Sequence, residues 1–169
     1  VTYLLDSNVF IQAKNTYYGM DFCPAFWAWI DHANGHHGVA SIDWVYKELV
    51  EGGDELAKWV KARKGPTLFL PVSDSQTQKK YVEVVNYVQG NKNYTDPAKV
   101  RFLAKADPWL IAKAAIMGAT VVTHEKPDKI AKAAVKIPDV CDQFGVGYLN
   151  TFELLRSLKA KFGHMPGTK

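Results

Sequence analysis

Short β-branched or aliphatic runs alternate with stretches of helical period along most of this chain. Residues 2–5 form an apolar run that stops at a carboxylate, Asp6, and two helix-capping types, Ser7 and Asn8, precede a second apolar run, Val9-Phe10-Ile11. The pattern predicts a buried strand, an acid at its carboxyl end, then a helix. Residues 12–22 read as a loop or a frayed helix end. Pro24 opens a helix on which Phe26, Trp29, Ile30 and Ala33 share a face, with Asn34-Gly35 as its stop. His36 and His37 follow in the turn; adjacent loop histidines point apart, so they read as surface residues rather than metal ligands. A second strand over 38–42 leads to a helix over 44–50, with Ser41 or Asp43 available as its cap.

Gly52-Gly53 breaks that helix, and Asp54 caps a continuation through Trp59 and Val60 that stops at Gly65-Pro66. Residues 67–71 are a short extended segment. Tyr81, Val84, Val85 and Val88 place a helix over 76–88, and residues 90–97 form a polar connection. Asp107-Pro108 marks a helix start and Gly118 its end, with Asp107 as N-cap and also in line with the inward face of Leu110, Ile111 and Ala114. Residues 119–123 are β-branched and end at Thr123, His124 and Glu125, a helix-then-strand order typical of a parallel crossover. Residues 135–138 read as an edge strand and 139–144 as a turn or short helix. A last helix over 152–161 is capped by Asn150 or Thr151, and residues 163–169 are a mobile tail.

At 169 residues the chain suits a single domain over residues 1–162, and its 47% apolar content can fill one core. Twenty-one basic against seventeen acidic side chains leave a net +4, which permits a polyanionic partner without demanding one. No apolar run is long enough to span a membrane. Two isolated cysteines, Cys23 and Cys141, suggest neither a disulfide framework nor a zinc site, and no signal-peptide pattern is present, so a reducing cytoplasm is the expected compartment.

Strand ends in open parallel sheets collect ligands and chemistry, which puts Asp6, Thr123 and Glu125 on one sheet edge. Glu48 sits at the margin of an apolar helix face, where an unpaired carboxylate is costly. Taken singly, each acid has a plain structural reading: Glu48 a boundary residue, Asp107 a cap, Glu125 a solvated loop acid. His124 is a bystander first and a substrate contact second. Taken together, Asp6, Glu48, Asp107 and Glu125 would raise one another's pKa unless a cation lay among them. All-oxygen ligands suit a hard dication, Mg²⁺ or Mn²⁺, and such a site lends itself to phosphodiester hydrolysis. Lys126, Lys129, Lys132 and Lys136 could track a phosphate backbone, although a solvated helix face explains them equally well.

The string Leu4-Leu5-Asp6-Ser7-Asn8, the helical Glu48 some forty residues on, Ala106-Asp107 followed by Leu110-Ile111-Ala112 and Ala114, and Val121-Val122-Thr123 followed by Glu125 resemble, in order and spacing, the motifs of PIN-domain nucleases, including VapC-like toxin ribonucleases. The resemblance implies a three-layer α/β/α fold with a short, mainly parallel central sheet, and a Mg²⁺- or Mn²⁺-dependent endoribonuclease acting on RNA. It assigns Asp6, Glu48 and Asp107 as metal-binding acids, with Asn8 and Thr123 supporting the site by hydrogen bonds. The family's late acid is commonly Asp; here Glu125 stands at that position, with Asp128 and Asp142 as nearby substitutes. A cognate antitoxin protein and a homodimer are further implications.

Three rivals remain. A haloacid-dehalogenase-like phosphatase also sets an Asp after its first strand, but Asn8 occupies the place of the second Asp that chemistry needs. An RNA- or protein-binding relative without turnover would be marked by loss of a metal acid, and the three principal acids are present. The plainest alternative is an α/β domain whose acids merely cap helices.

Overall fold

The computed structural model describes residues 2–130 and 132–163. Among them, five short strands form one parallel sheet in the order β3-β2-β1-β4-β5. These are β1 (Tyr3–Leu5), β2 (Val39–Ile42), β3 (Phe69–Leu70), β4 (Thr120–Val122) and β5 (Tyr148–Leu149). Helices α1 (Ser7–Gln12), α2 (Pro24–His36), α3 (Asp43–Glu51) and α4 (Glu55–Lys61) lie in the connections that lead from β1 outward to β3. Helices α5 (Ser75–Gly90), α6 (Asp96–Leu103), α7 (Asp107–Met117) and α8 (Ile137–Phe144) lie in those that lead back through β4 to β5, and α9 (Thr151–Ser157) follows. Right-handed crossovers running in opposite directions along the sheet place the two sets of helices on opposite faces. The chain reverses direction between β1 and β4. That switch point is where a crevice opens at the carboxyl ends of strands.

β1, β2 and β4 are too short to be held by ladder bonds alone; their burial on both faces holds them, with Leu4, Leu5, Val39, Ala40, Ile42, Val121 and Val122 all fully buried. Around them Phe10, Phe26, Ile30, Leu110 and Ile111 complete the core. Ser41, expected as a cap, instead donates its hydroxyl to the Leu5 carbonyl at 2.6 Å, a cross-strand bond inside the sheet. Asp43 does not cap α3 either, and its Oδ1 is buried without a hydrogen-bond partner among the described residues.

Trp109 in the first turn of α7 lies against Tyr81 of α5, ring centroids 3.6 Å apart and nearly parallel, and against Trp44 of α3 at 5.6 Å. Asp74 accepts from the Thr77 amide as the N-cap of α5 and binds Lys113 of α7 at 2.7 Å, which holds its carboxyl well below the usual range. These contacts fix the start of α7 against α3 and α5. Each stacked pair adds about 0.5–1.5 kcal/mol beyond its buried area.

Several local expectations change. Helix α2 runs through Asn34-Gly35 to His36, because the Asn34 amide is committed to the Val39 and Thr67 carbonyls at 2.8 and 2.9 Å and does not turn the backbone. The polar stretch at 90–97 conceals the start of α6, where Thr95 accepts from the Ala98 amide and Pro97 sits in the first turn, the same signal that was read at Asp107-Pro108. Residues 135–138 are not an edge strand: Ile137-Pro138 opens α8, with proline again in the first turn. Residues 13–17 form a π-helical turn after α1. The last helix ends at Ser157, ahead of Lys159 with φ +54°, and is capped by Asn150 in a reciprocal box with Glu153. The tail expected to be mobile falls, beyond Gly163, outside the described residues.

Gly118 ends α7 with φ +61° and passes the chain straight into β4, which carries Thr123. A side chain there meets no neighbour, but the left-handed backbone strains any L-residue. Gly118→Ala should therefore cost about 1–2 kcal/mol, lowering the thermal midpoint by roughly 2–8 °C in a denaturation scan.

Candidate metal and nucleic-acid site

Parallel pairing of β1 with β4 aligns Leu5 with Val122, so the residues one step further, Asp6 and Thr123, emerge side by side at the switch point. Thr123 donates its hydroxyl to Asp6 Oδ2 at 3.0 Å, and its oxygen also accepts the Glu125 amide at 3.2 Å. The Asn8 amide, in the first turn of α1, lies 3.5 Å from the same carboxylate oxygen. Asp6 is 1% exposed. Burial, then Glu125 and Glu48, push its pKa up to about 6 against the lowering effect of Thr123 and the Ser7 amide.

Glu48 reaches across from α3. One carboxylate oxygen accepts from the Ser7 hydroxyl and the other from the Ala106 amide at 2.8 Å. Glu48 thus ties the starts of α1 and α7 together, and its negative charge suits the amino end of α7. Asp107, by contrast, does not cap α7; the N-cap position belongs to Ala106. Its carboxylate accepts no hydrogen bond from any described residue, although the residue is only 8% exposed. Burial, then Asp6 and Glu125, raise its pKa well above the ordinary value; Lys105 offsets part of this and Glu48 adds to it. Two buried aspartates therefore face a common space with more negative charge around it than positive.

Glu125 completes the ring of charge. Its Oε2 accepts from the Ile137 amide at 2.7 Å, anchoring the first residue of α8. The alternatives for the late acid lie elsewhere: the Asp128 amide donates to Asp139 at 3.1 and 3.2 Å, and Asp142 lies 3.7 Å from Lys129 on α8. Neither is among the leading influences on the Asp6 or Asp107 pKa. Among the described residues no three of these acids stand close enough to close a metal shell by themselves. The donor chemistry nevertheless fits a hard dication: carboxylate oxygens, with Asp107 largely buried and accepting no hydrogen bond from a described residue, and Lys105 offsetting the gathered charge only in part.

Two cavities flank Glu125. One, about 150 Å³, is lined by Asp107 and Glu125 together with Arg101, Lys105 and Lys136. The second, about 500 Å³, opens from Thr123 and Glu125 toward Lys126, His124, Tyr17 and Phe152. Of the basic residues singled out in the sequence, only Lys126 and Lys136 line these cavities. Lys129 faces Asp142 at a separate polar cavity, and Lys132, with its side chain exposed, bonds the Thr95 amide through its carbonyl. The described residues of the lysine segment, 126–130 and 132–136, are irregular rather than a solvated helix face. Arg101, on α6, and Lys105, just beyond its end, carry no mark of a site in the sequence, because it is the packing of the chain that brings them to the acids. His124 is half-buried, bonded to the Thr151 hydroxyl at 2.8 Å, and burial lowers its pKa.

The model of a family described as a domain of unknown function, DUF4411, matches residues 3–162. No curated protein matches the sequence. Among solved structures, the crystal structure of VapBC2 from Rickettsia felis bound to a DNA fragment from their promoter is similar, with a TM-score of 0.54 and 13% identity over 89% of this chain and 98% of that one. At that identity the likeness is one of fold. The five-stranded parallel sheet with its flanking helices is a PIN-like fold, as the motifs implied.

The raised Asp6 pKa has a testable consequence with a definite sign. The folded state holds its proton more tightly than the unfolded chain, so the metal-free protein loses stability from this group as pH rises from about 4 through 6, on the order of 3 kcal/mol in full. In urea denaturation with chelator present, Asp6→Asn should gain stability relative to the parent as pH is raised from 4.5 to 7.5. A difference between the two proteins that does not change with pH would refute the burial of an ionisable charge here.

Proposed function

The chain belongs to the DUF4411 family, and on that premise we propose that it is a divalent-metal-dependent endoribonuclease, the toxin of a toxin–antitoxin pair. One observation carries the reading: Asp6 and Asp107, from distant parts of the chain, are buried near one another with raised pKa values, which Lys105 offsets only in part at Asp107. Such a pair is stable in ionised form only beside a cation. Asp6 and Asp107 would hold Mg²⁺ or Mn²⁺, with Glu48 and Glu125 adding charge from the rim. The ion supplies Lewis acidity for attack of water on a phosphodiester and offsets charge on the leaving oxygen.

The chain's own residues do the remaining work in this reading. Thr123 and Asn8 hold the Asp6 carboxylate in orientation through its Oδ2. Glu48, bonded to Ser7 and Ala106, fixes the spacing of the two helix starts that carry Asn8 and Asp107. Arg101, Lys105 and Lys136 line one small cavity with Asp107 and Glu125 and would bind the RNA backbone beside the scissile phosphate. Lys126 would do so on the other flank. The similar structure is of VapBC2 with promoter DNA, which supports looking for a cognate antitoxin as the protein partner. No helix of the described residues is long and apolar enough to cross a membrane, in keeping with the cytoplasmic role proposed.

A second reading, a PIN-like domain that binds RNA or protein without turnover, draws on the backbone bonds that occupy part of Glu48 and Glu125, leaving no set of three acids poised as a shell. Cleavage of a mixed RNA pool with Mg²⁺, Mn²⁺ or chelator separates the two. Metal-dependent cleavage is expected, and Asp6→Asn or Asp107→Asn should fold and lose at least about 100-fold of the rate, the scale on which removing one preorganised electrostatic group acts. Retained cleavage in either variant sinks the mechanism.

A further inference from the structure

The nuclease reading leaves the larger of the two flanking cavities without a role. Thr123 and Glu125 are among its lining residues, which sets it beside the acids: Thr123 bonds Asp6, and Glu125 also lines the cavity that Asp107 lines. Its wall is built of rings. Tyr17 stands edge-on to Phe152, centroids 5.0 Å apart at 86°, and within 25° of parallel to His124 at 6.1 Å, while His124 and Phe152 meet at 5.9 Å. His124 is fixed by the Thr151 hydroxyl, and Phe152 by its place in α9. Tyr17 is 45% exposed, an unusual state for a large ring held on two sides by others.

The backbone that presents it is also unusual. Residues 13–17 widen into a π-helical turn directly after α1, the helix that starts at the Asp6 site. Such turns are rare and recur at functional sites, because the wider turn displaces a side chain from the regular helical path. The cavity's volume falls in the ordinary range for small-ligand sites. Lys126 supplies a cation at its mouth, and the side-chain amide of Gln12 a polar group within.

We propose that this cavity is a nucleobase subsite: one unpaired base of the RNA strand leaves its stack and lies on the face of Tyr17, its phosphate reaching Lys126, while the adjoining phosphodiester lies at Asp6 and Asp107. The inference rests on the nuclease reading for the last of these placements. A base within a duplex cannot present its face to a ring, so the subsite selects single-stranded RNA or loops over helices. Stacking accepts any base, and the strand's path is set by the order of the features: aromatic cavity, acids, then the basic cleft of Arg101, Lys105 and Lys136.

The test measures binding and cleavage separately on the full chain. A fluorescent mixed-sequence 12-nucleotide RNA, single-stranded or annealed to its complement, is titrated with the parent protein and with Tyr17→Ala, Tyr17→Leu and Tyr17→Phe in chelator, and its cleavage is then followed in Mg²⁺ or Mn²⁺. Loss of one stacked base predicts 5- to 150-fold weaker single-strand binding in the Ala variant. A similar loss is expected for Leu, which keeps the contact with Phe152 but removes the ring face, and Phe should bind as the parent does. Duplex binding should be weaker than single-strand binding in the parent and insensitive to all three changes. Tyr17→Leu binding single strands as tightly as the parent overturns the subsite whether or not the RNA is cut. Tyr17-dependent binding with no cleavage by any metal leaves the subsite standing and removes the nuclease. No measurable binding of the single strand overturns the subsite outright.

Discussion

Two aspartates that repel each other are buried at one point of this molecule, and the structure is arranged to keep them there. Asp6 is carried by the central strand, and Asp107 by a helix whose amino end is held by the ring stack of Trp44, Trp109 and Tyr81 and by the Asp74–Lys113 pair. None of these contacts involves the carboxylates themselves. Packing and ion pairing remote from the site therefore offset the electrostatic cost within it, the usual relation between a folded scaffold and a strained polar centre.

The glutamates play a different part from the aspartates. Glu48 and Glu125 each accept a backbone amide at the start of a helix, α7 and α8 respectively. The amino ends of both helices turn toward the acids, and the partial positive charge they carry favours anions there. Because Glu48 bonds the Ala106 amide, Asp107 is relieved of capping and its carboxylate remains available. A capping residue and a ligand look the same in a linear sequence; here the difference was made by a residue 58 positions away.

On either side of this acidic centre the surface changes character. The flank between α6 and α8 is basic, and the flank beyond Thr123 is aromatic. Charge favours a polyanion in either orientation, whereas a ring wall on one side only gives a strand a direction. This asymmetry comes from α9 and the turn after α1, elements at opposite ends of the chain.

The amino-acid order by itself determined the strand-acid-helix unit at Asp6, the helix that Asp107 begins, the β-branched strand that ends in Thr123, and so the parallel α/β class. Those features depend on local periodicity and turn chemistry, which act over a few residues. It also selected the four acids, because Asp6 and Glu125 follow strand ends, Asp107 heads a helix and Glu48 sits at the margin of an apolar helix face. What only the tertiary structure decided was which acid was left without a partner, where α6 and the start of α8 lay, and which cations faced the site. Helix α6 left no clear signal because its first residues fall in the polar connection, its buried residues are few, Ala98 and Phe102, and its amphipathicity is weak. Arg101, Lys105, Tyr17 and Phe152 reach the site from separate elements, and contacts between side chains distant in sequence leave no periodic trace in any one of them.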